Sequence, residues 1–186
     1  MVSNKRLRLV AHQEDLDFCL FTPSFFQLYF HNATNDDAGH RKKFSHKFHM
    51  LIYLLTRGYR ILYLFKGKQI ISYLIFTKAG NKIIKGSSKQ DYYTIFLYTF
   101  PRFRGHGYAS LLAQFLLNDL NIDYRFFYKT ISKTNPASIK VAVRCGFKME
   151  SESIKTGPFH RVIPVQNGTQ YFFKATNLKR KNTTEL

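Results

Sequence analysis

Residues 92–100, Tyr-Tyr-Thr-Ile-Phe-Leu-Tyr-Thr-Phe, form a nearly unbroken aromatic and β-branched run that stops at Pro101. Side chains of this kind favour a pleated backbone, and proline cannot donate to a ladder, so the run predicts a centrally buried strand with a sharp end. Directly behind it stands Arg102-Phe103-Arg104-Gly105-His106-Gly107. Tyr108, Leu111, Leu112, Phe115 and Leu116 then recur at helical spacing and predict a helix running to about Leu120. A strand that feeds a glycine bend and then a helix is the unit from which α/β folds are built.

The remaining elements read outward from this unit. Residues 6–11 predict a first strand. Residues 14–30 are rich in large apolar side chains around Pro23, which suits a first helical turn, and predict one or two short helices. A polar loop over 31–39 follows, and then Phe44, Phe48, Leu51, Ile52 and Leu55 predict an amphipathic helix stopped by Gly58. Residues 59–65 and 70–77 flank Lys66-Gly67-Lys68-Gln69 and predict an antiparallel hairpin, with residues 79–90 as a loop. Beyond the central unit, residues 124–130 predict a strand. Asn135-Pro136 opens a helix that Gly146 closes, Phe147 starts another strand, and residues 171–174 form the last.

At 186 residues the chain suits one domain, placed at 1–176, with a basic, frayed tail at 177–186. The composition is 45% apolar and 17% aromatic, enough to offset the entropy of folding, which excludes general disorder. No apolar h-region opens the sequence, and no window approaches the roughly 18 apolar residues of a membrane span, so a cytoplasmic protein is expected. Cys19 and Cys145 stand far apart without a metal-ligand spacing, which points to reduced thiols in the core and to no metal. The net charge of +18 favours anionic partners. The basic residues are spread along the chain, however, and a solvated cationic surface accounts for most of them.

A helix amino terminus offers unpaired N–H groups and the positive end of its dipole, so a bend stripped of Cβ atoms there can wrap a phosphate. Two glycines alone also make an ordinary tight turn. The bend lacks the Gly-Lys-Ser/Thr ending of a nucleotide-hydrolysing loop and is not a full GxGxxG dinucleotide motif. Arg104-Gly105-His106-Gly107-Tyr108-Ala109-Ser110-Leu111-Leu112 instead resembles the coenzyme A signature of the GNAT superfamily of acetyltransferases, Arg/Gln-x-x-Gly-x-Gly/Ala. Arg104, Gly107 and Ala109 fill its defined positions. Asn135-Pro136-Ala137-Ser138 through Cys145-Gly146-Phe147 is similar to a second segment of the same family, and the two together cover residues 92–149.

The resemblance implies an α/β (α+β) fold with a mixed, mostly antiparallel central sheet flanked by helices. It also implies an acetyl-CoA-dependent N-acetyltransferase. By analogy, main-chain N–H groups of Arg104, Gly105, His106, Gly107, Tyr108 and Ala109 cradle the coenzyme's diphosphate. The strand edge at Leu97, Tyr98 and Thr99 pairs with the pantetheine amides, and an N–H near Tyr98 or Thr99 stabilises the oxyanion. Asn135 resembles the residue that reaches the pantetheine arm, although Asn before Pro is equally a helix N-cap. Many relatives carry a proton-donating tyrosine where this chain has Ala142. Ser138 resembles the serine of relatives that lack that tyrosine, with Tyr128 and Tyr108 as further candidates. For the base, only Asp91 borders the strand, while His31, His106 and His160 lie in loops, and a water chain would also serve.

The implied partners are acetyl-CoA and a small-molecule or peptide amine, handled by a monomer or homodimer. The charge favours an acidic or nucleotide-linked amino sugar over a polyamine, with a protein amino terminus as a further acceptor class. Two competing readings stay open: a module that binds nucleic acid or another anionic surface, for which no zinc-finger, RNP or helix-turn-helix pattern speaks, and a GNAT fold that binds coenzyme A without turnover.

Overall fold

The computed structural model describes residues 6–30, 44–157 and 161–177. Among these residues, nine strands and four α-helices give a mixed α/β fold, mostly antiparallel, with one parallel pair of strands. The chain clusters into two compact units, Met1–Thr77 with Ile95–Leu112 and Lys78–Thr94 with Ala113–Leu186.

In the first unit β1 (Leu7–Gln13), β2 (Leu16–Phe21), β3 (Tyr59–Lys66) and β4 (Gln69–Lys78) pair in sequence order, each antiparallel to the next. Residues Ile95 to Thr99 of β5 (Tyr92–Thr99) lie beside β4, where the Phe100 N–H donates to Ile71 O at 3.0 Å. Ile61, Leu62, Tyr63 and Leu64 are each 0% exposed, so β3 is covered on both faces, as its unbroken apolar sequence requires. Helix α1 (Phe44–Arg57) ends at Gly58, whose φ of +65° only glycine adopts cheaply and whose carbonyl accepts the Thr77 hydroxyl at 2.6 Å.

In the second unit Tyr92, Tyr93 and Thr94 of β5 pair in parallel with Phe127, Tyr128 and Lys129 of β6 (Phe126–Ser132). The order then runs β6, β9 (Gln170–Thr176), β7 (Lys148–Thr156) and β8 (Arg161–Pro164), all antiparallel. This unit also carries α2 (Gly80–Ile83), the later part of α3 (Tyr108–Asn118), and α4 (Pro136–Arg144).

Four expectations need correction. Residues 14–30 were expected to be helical, but Glu14 takes φ +54° in a two-residue turn and sends the chain back as β2. Leu16, Phe18, Cys19, Leu20 and Phe21 are all buried, and consecutive side chains can be buried together only when both faces of the backbone are covered. Pro23 starts no helix. It precedes a turn in which Ser24 and Gln27 exchange N–H to carbonyl bonds of 2.9 and 3.1 Å. Residues 79–90, read as loop, contain the single turn α2, and Ile84 bridges to Val162. The four-residue β8, Arg-Val-Ile-Pro, was not foreseen, because it is too short to show alternation and ends in proline. Finally, β5 is less buried than expected: Tyr93 and Thr94 are covered, whereas Ile95 to Thr99 are half-buried.

Asn177 is only 7% exposed, with its side-chain amide donating to Tyr124 O at 2.9 Å and its N–H to Arg125 O at 3.2 Å. The rest of the expected tail, the 31–39 loop, His31 and His160 lie outside the described residues.

The buried Asp91 carboxylate just before β5 binds Arg125 through both oxygens, at 3.1 Å to Nε and 2.8 Å to Nη2, and accepts the Ser88 N–H at 2.7 Å. Burial alone would push its pKa up; the hydrogen bonds to Arg125 and Ser88 outweigh that and hold it below 3.8. Asp91→Ala leaves the Ser88 N–H orphaned and is expected to lower stability by about 2 kcal/mol at pH 7. Because the folded pKa is depressed, the wild type's advantage is present above pH 3.8 and drains away as pH falls through the lower folded value. Thermal melts of both proteins between pH 7 and pH 2 check this; a constant difference would refute it.

Candidate active site

The first unit builds the bend from the end of β5 onward. Pro101–Phe103 makes one 3-10 turn, closed by Phe103 N–H to Phe100 O at 2.9 Å and Arg104 N–H to Pro101 O at 3.1 Å. Gly105 and Gly107 follow at φ +84° and +81°, in the left-handed region that side chains with a Cβ avoid. A Cβ built on either glycine would meet no atom within 4 Å, so the space before both is open. The first backbone bond at the head of α3 runs from Leu111 N–H to Gly107 O at 3.0 Å. The N–H groups of Tyr108 and Ala109, which precede that bond, therefore have no carbonyl within the helix to take.

Side chains hold this bend against β5. Arg104 Nε donates to Thr99 O at 3.1 Å, and its guanidinium lies 5.5 Å from the Tyr98 ring centroid. His106 Nδ1 is 2.9 Å from Arg104 O, and its ring stacks on Tyr108 with centroids 5.9 Å apart and planes at 19°. Ser72 of β4, which no sequence pattern singled out, donates to Tyr98 O at 2.7 Å and sits 3.0 Å from Thr99 Oγ1. A lone serine in an apolar strand carries no signal until the strand's neighbour is known.

The Ser72 bond also decides which main-chain groups of β5 are available. Successive residues of a strand aim their N–H and C=O at opposite edges. Tyr98 turns its carbonyl, and hence its N–H, towards β4, as does Phe100. Leu97 and Thr99 direct theirs to the opposite edge. The β5–β6 register stops at Thr94↔Lys129, five residues before β5 ends, so no described β6 residue pairs with that stretch. Open glycines, helix-end N–H groups, a half-buried strand edge and the exposed Arg102 and Arg104 form a donor set that suits a diphosphate followed by amides.

The second unit holds the other residues. Asn135 is the N-cap of α4: its Oδ1 accepts the Ser138 N–H at 3.1 Å, and Pro136 follows at the first helical position. Ser138 is half-buried in that first turn. Tyr128 stacks on Phe172 with centroids 5.4 Å apart, and burial pushes its phenol pKa up. Ala142 is 0% exposed and has no proton to give. Asp91, the carboxylate bordering β5, is already committed to Arg125 and Ser88 and is a poor base. Among the described residues no group of His, Cys, Asp and Glu is placed to hold a metal ion.

The family model described as the acetyltransferase (GNAT) family matches residues 22–147. The chain belongs to the GNAT family. It is accordingly an acyltransferase of the acetyl-CoA-using kind. No curated protein sequence matches it. Among solved structures, this GNAT chain is similar to a spermidine N-acetyltransferase SpeG chimera from Vibrio cholerae and hSSAT, at 14% identity and TM-score 0.59, covering 91% of this chain and 99% of that one. It is also similar to an acetyltransferase from Thermus thermophilus, at 15% identity and TM-score 0.49, covering 68% of each chain. A third is yncA from Salmonella typhimurium, solved with its cofactor acetyl-CoA, at 18% identity and TM-score 0.43, covering 63% and 64%. At these identities the likeness to the chimera is one of fold. No helix among the described residues is long and apolar enough to cross a membrane.

Proposed function

We propose that this GNAT protein transfers the acetyl group of acetyl-CoA directly to a primary amine borne on an anionic acceptor. The observation that carries the reading is the open bend at Gly105 and Gly107, running into α3 and tied by Arg104 to the end of β5. Acetyl-CoA supplies an activated acyl thioester. Main-chain N–H groups from Gly105 to Ala109 hold its diphosphate, the expected Arg104 N–H being spent on Pro101 O, and the outward edge of β5 at Leu97 and Thr99 pairs with its pantetheine amides. The Thr99 N–H is the oxyanion donor, since the Tyr98 main chain is turned to β4. The Tyr98 ring, beneath the Arg104 guanidinium, fixes that edge.

In the second unit the Asn135 cap sets the orientation of the first turn of α4, and the Ser138 hydroxyl donates the proton taken up by the departing thiolate. Tyr128 is the second candidate; its raised pKa makes it a weaker acid but leaves it protonated at neutral pH. A thiol pKa near 8.5 makes the thiolate a tolerable leaving group, so a weak donor suffices. With Asp91 engaged, the ammonium of the acceptor loses its proton to His106 or to water.

The structural neighbour from Vibrio cholerae and hSSAT is a spermidine N-acetyltransferase, but a chain of net charge +18 repels a polycation. An amino sugar linked to a nucleotide, or an acidic peptide amino terminus, matches that charge better. Isothermal titration with acetyl-CoA should show one site per chain with micromolar affinity, on the order typical of substrates. Thiol release should then be faster with an amino-sugar nucleotide than with spermidine. No heat at about millimolar coenzyme would remove the enzyme reading. Binding without thiol release from any amine would leave a coenzyme-binding protein instead.

A further inference from the structure

Ser72 stands in the buried run of β4, with Ile71 before it and Tyr73, Leu74 and Ile75 after it, and is itself 0% exposed. A hydroxyl taken out of water among such side chains costs free energy unless it finds partners. It has found two, both on the last residues of β5: Tyr98 O at 2.7 Å and Thr99 Oγ1 at 3.0 Å. A carbonyl only accepts, so the single Ser72 proton goes to Tyr98 O, and Thr99 Oγ1 is then the donor to Ser72 Oγ. The two hydroxyls form a short relay that begins and ends on neighbouring residues of one strand, in which each bond polarises the next.

The far side of the same peptide carries the consequence. Tyr98 C=O and Thr99 N–H belong to one planar trans unit and point in opposite directions, so whatever fixes the carbonyl also fixes the N–H. Ser72 holds Tyr98 O on the β4 side, which aims the Thr99 N–H at the opposite edge of β5. The next peptide is held at both ends, since Phe100 N–H donates to Ile71 O at 3.0 Å and Thr99 O accepts Arg104 Nε at 3.1 Å. The main chain on either side of Thr99 is thereby braced, and the Ser72 bond acts on the very peptide that carries the Thr99 N–H.

We infer that Ser72 is a positioning residue for acyl transfer, which through Tyr98 O aims the Thr99 N–H at the thioester carbonyl of acetyl-CoA and keeps it there as charge builds on that oxygen. This rests on the Thr99 N–H being the oxyanion donor. In the step itself the amine nitrogen bonds the carbonyl carbon and gives up its proton to the base, and the C=O electron pair moves onto the oxygen against the Thr99 N–H. The pair returns as the C–S bond breaks and the thiolate leaves. A donor fixed beforehand needs no reorganisation when the charge appears, and such preorganisation gives oxyanion bonds most of their effect. Being 0% exposed, Ser72 acts through the peptide alone. A buried serine that did no more than satisfy its own hydroxyl could be replaced by alanine with no effect on the thioester.

The test uses the full chain and acetyl-CoA isotopically labelled at the thioester carbonyl carbon, and needs no acceptor. Infrared difference spectra of the wild-type complex should place the labelled carbonyl band well below that of the labelled ethyl thioester in an aprotic solvent. Ser72→Ala should lose at least about half of that lowering. Its coenzyme affinity by titration calorimetry should stay within about twofold of wild type. Ser72→Thr, which keeps the hydroxyl, should retain the lowering. Thr99→Val, which removes the donor to Ser72, should lose a smaller part of it, and decides the matter if thermal melts show that Ser72→Ala does not fold. An unchanged band in folded Ser72→Ala, or in folded Thr99→Val where the alanine variant is lost, would overturn the inference. So would a band that recovers only in step with falling affinity, because that marks a merely structural serine. A wild type that binds no coenzyme, or binds it with the band at its aprotic position, removes the Thr99 donor itself and this inference with it.

Discussion

A Gly107→Val protein is expected to bind acetyl-CoA at least about a hundredfold more weakly than the parent while remaining folded. Gly107 sits at φ +81°, where a β-branched residue costs roughly 1–3 kcal/mol to hold. If the bend keeps its shape, the isopropyl group enters the open space before the first N–H groups of α3, which is where the diphosphate is proposed to lie. If the bend relaxes instead, those N–H groups turn away, and each charge-assisted hydrogen bond lost is worth about 1.5–3 kcal/mol. Loss of two such bonds, about 3–6 kcal/mol, exceeds the roughly 2.7 kcal/mol that a hundredfold represents. Gly67, in the turn between β3 and β4, is the control, because it has φ +57° and no atom within 4 Å of its Cβ position. Gly67→Val carries the same backbone strain and should leave binding unchanged. Titration calorimetry paired with thermal melts separates the two; equal binding by both variants would place the coenzyme elsewhere.

Lys129→Met is expected to stabilise the fold by about 3 kcal/mol at pH 7. Desolvation lowers the Lys129 pKa from 10.5 to about 8, against a smaller opposing effect of Cys145. Below pH 8 the ammonium is present in both folded and unfolded chains, and the folded state bears the full cost of burying it. Between pH 8 and 10.5 the unfolded chain binds more protons than the folded one, so wild-type stability rises with pH across that window. Methionine keeps the length and apolar stem without the charge. Its advantage should therefore be largest below pH 8 and shrink towards pH 10.5. Chemical denaturation of the two proteins from pH 7 to 10.5 checks the sign. A variant less stable than wild type at pH 7 would mean that the ammonium has found compensation in the fold.

What could be read from the sequence was what local rules govern. The stop at Pro101, the glycines of the bend, the apolar period of α3 and the Asn135-Pro136 cap each depend on a few adjacent residues, and all lie where they were expected. β2 was misread because its turn uses Glu14 at positive φ, a conformation glycine usually signals, and because burial on both faces erases alternation. Ser72, the Asp91–Arg125 pair and the buried Lys129 stayed hidden for a different reason. Their partners, Tyr98, Arg125 and the Phe147 ring, lie 26, 34 and 18 residues away in sequence, and nothing in the local pattern announces them. Half of the donor set at the bend was thus legible as glycines and helix spacing. The side chains that brace it appear only once β4 is laid against β5.

The outermost strand of the first unit has a consequence for handling the protein. Among the described residues β1 pairs with β2 alone, and no other described strand lies along its second edge. The register slips at Val10 between Leu9 and Ala11, and Arg8, His12 and Gln13 are exposed along the strand. A kinked border that carries an exposed arginine is a poor template for adding a strand from another molecule. A chain so rich in aromatic side chains can thereby be concentrated without fibril growth from this rim, provided the ionic strength is kept low enough for like charges to repel.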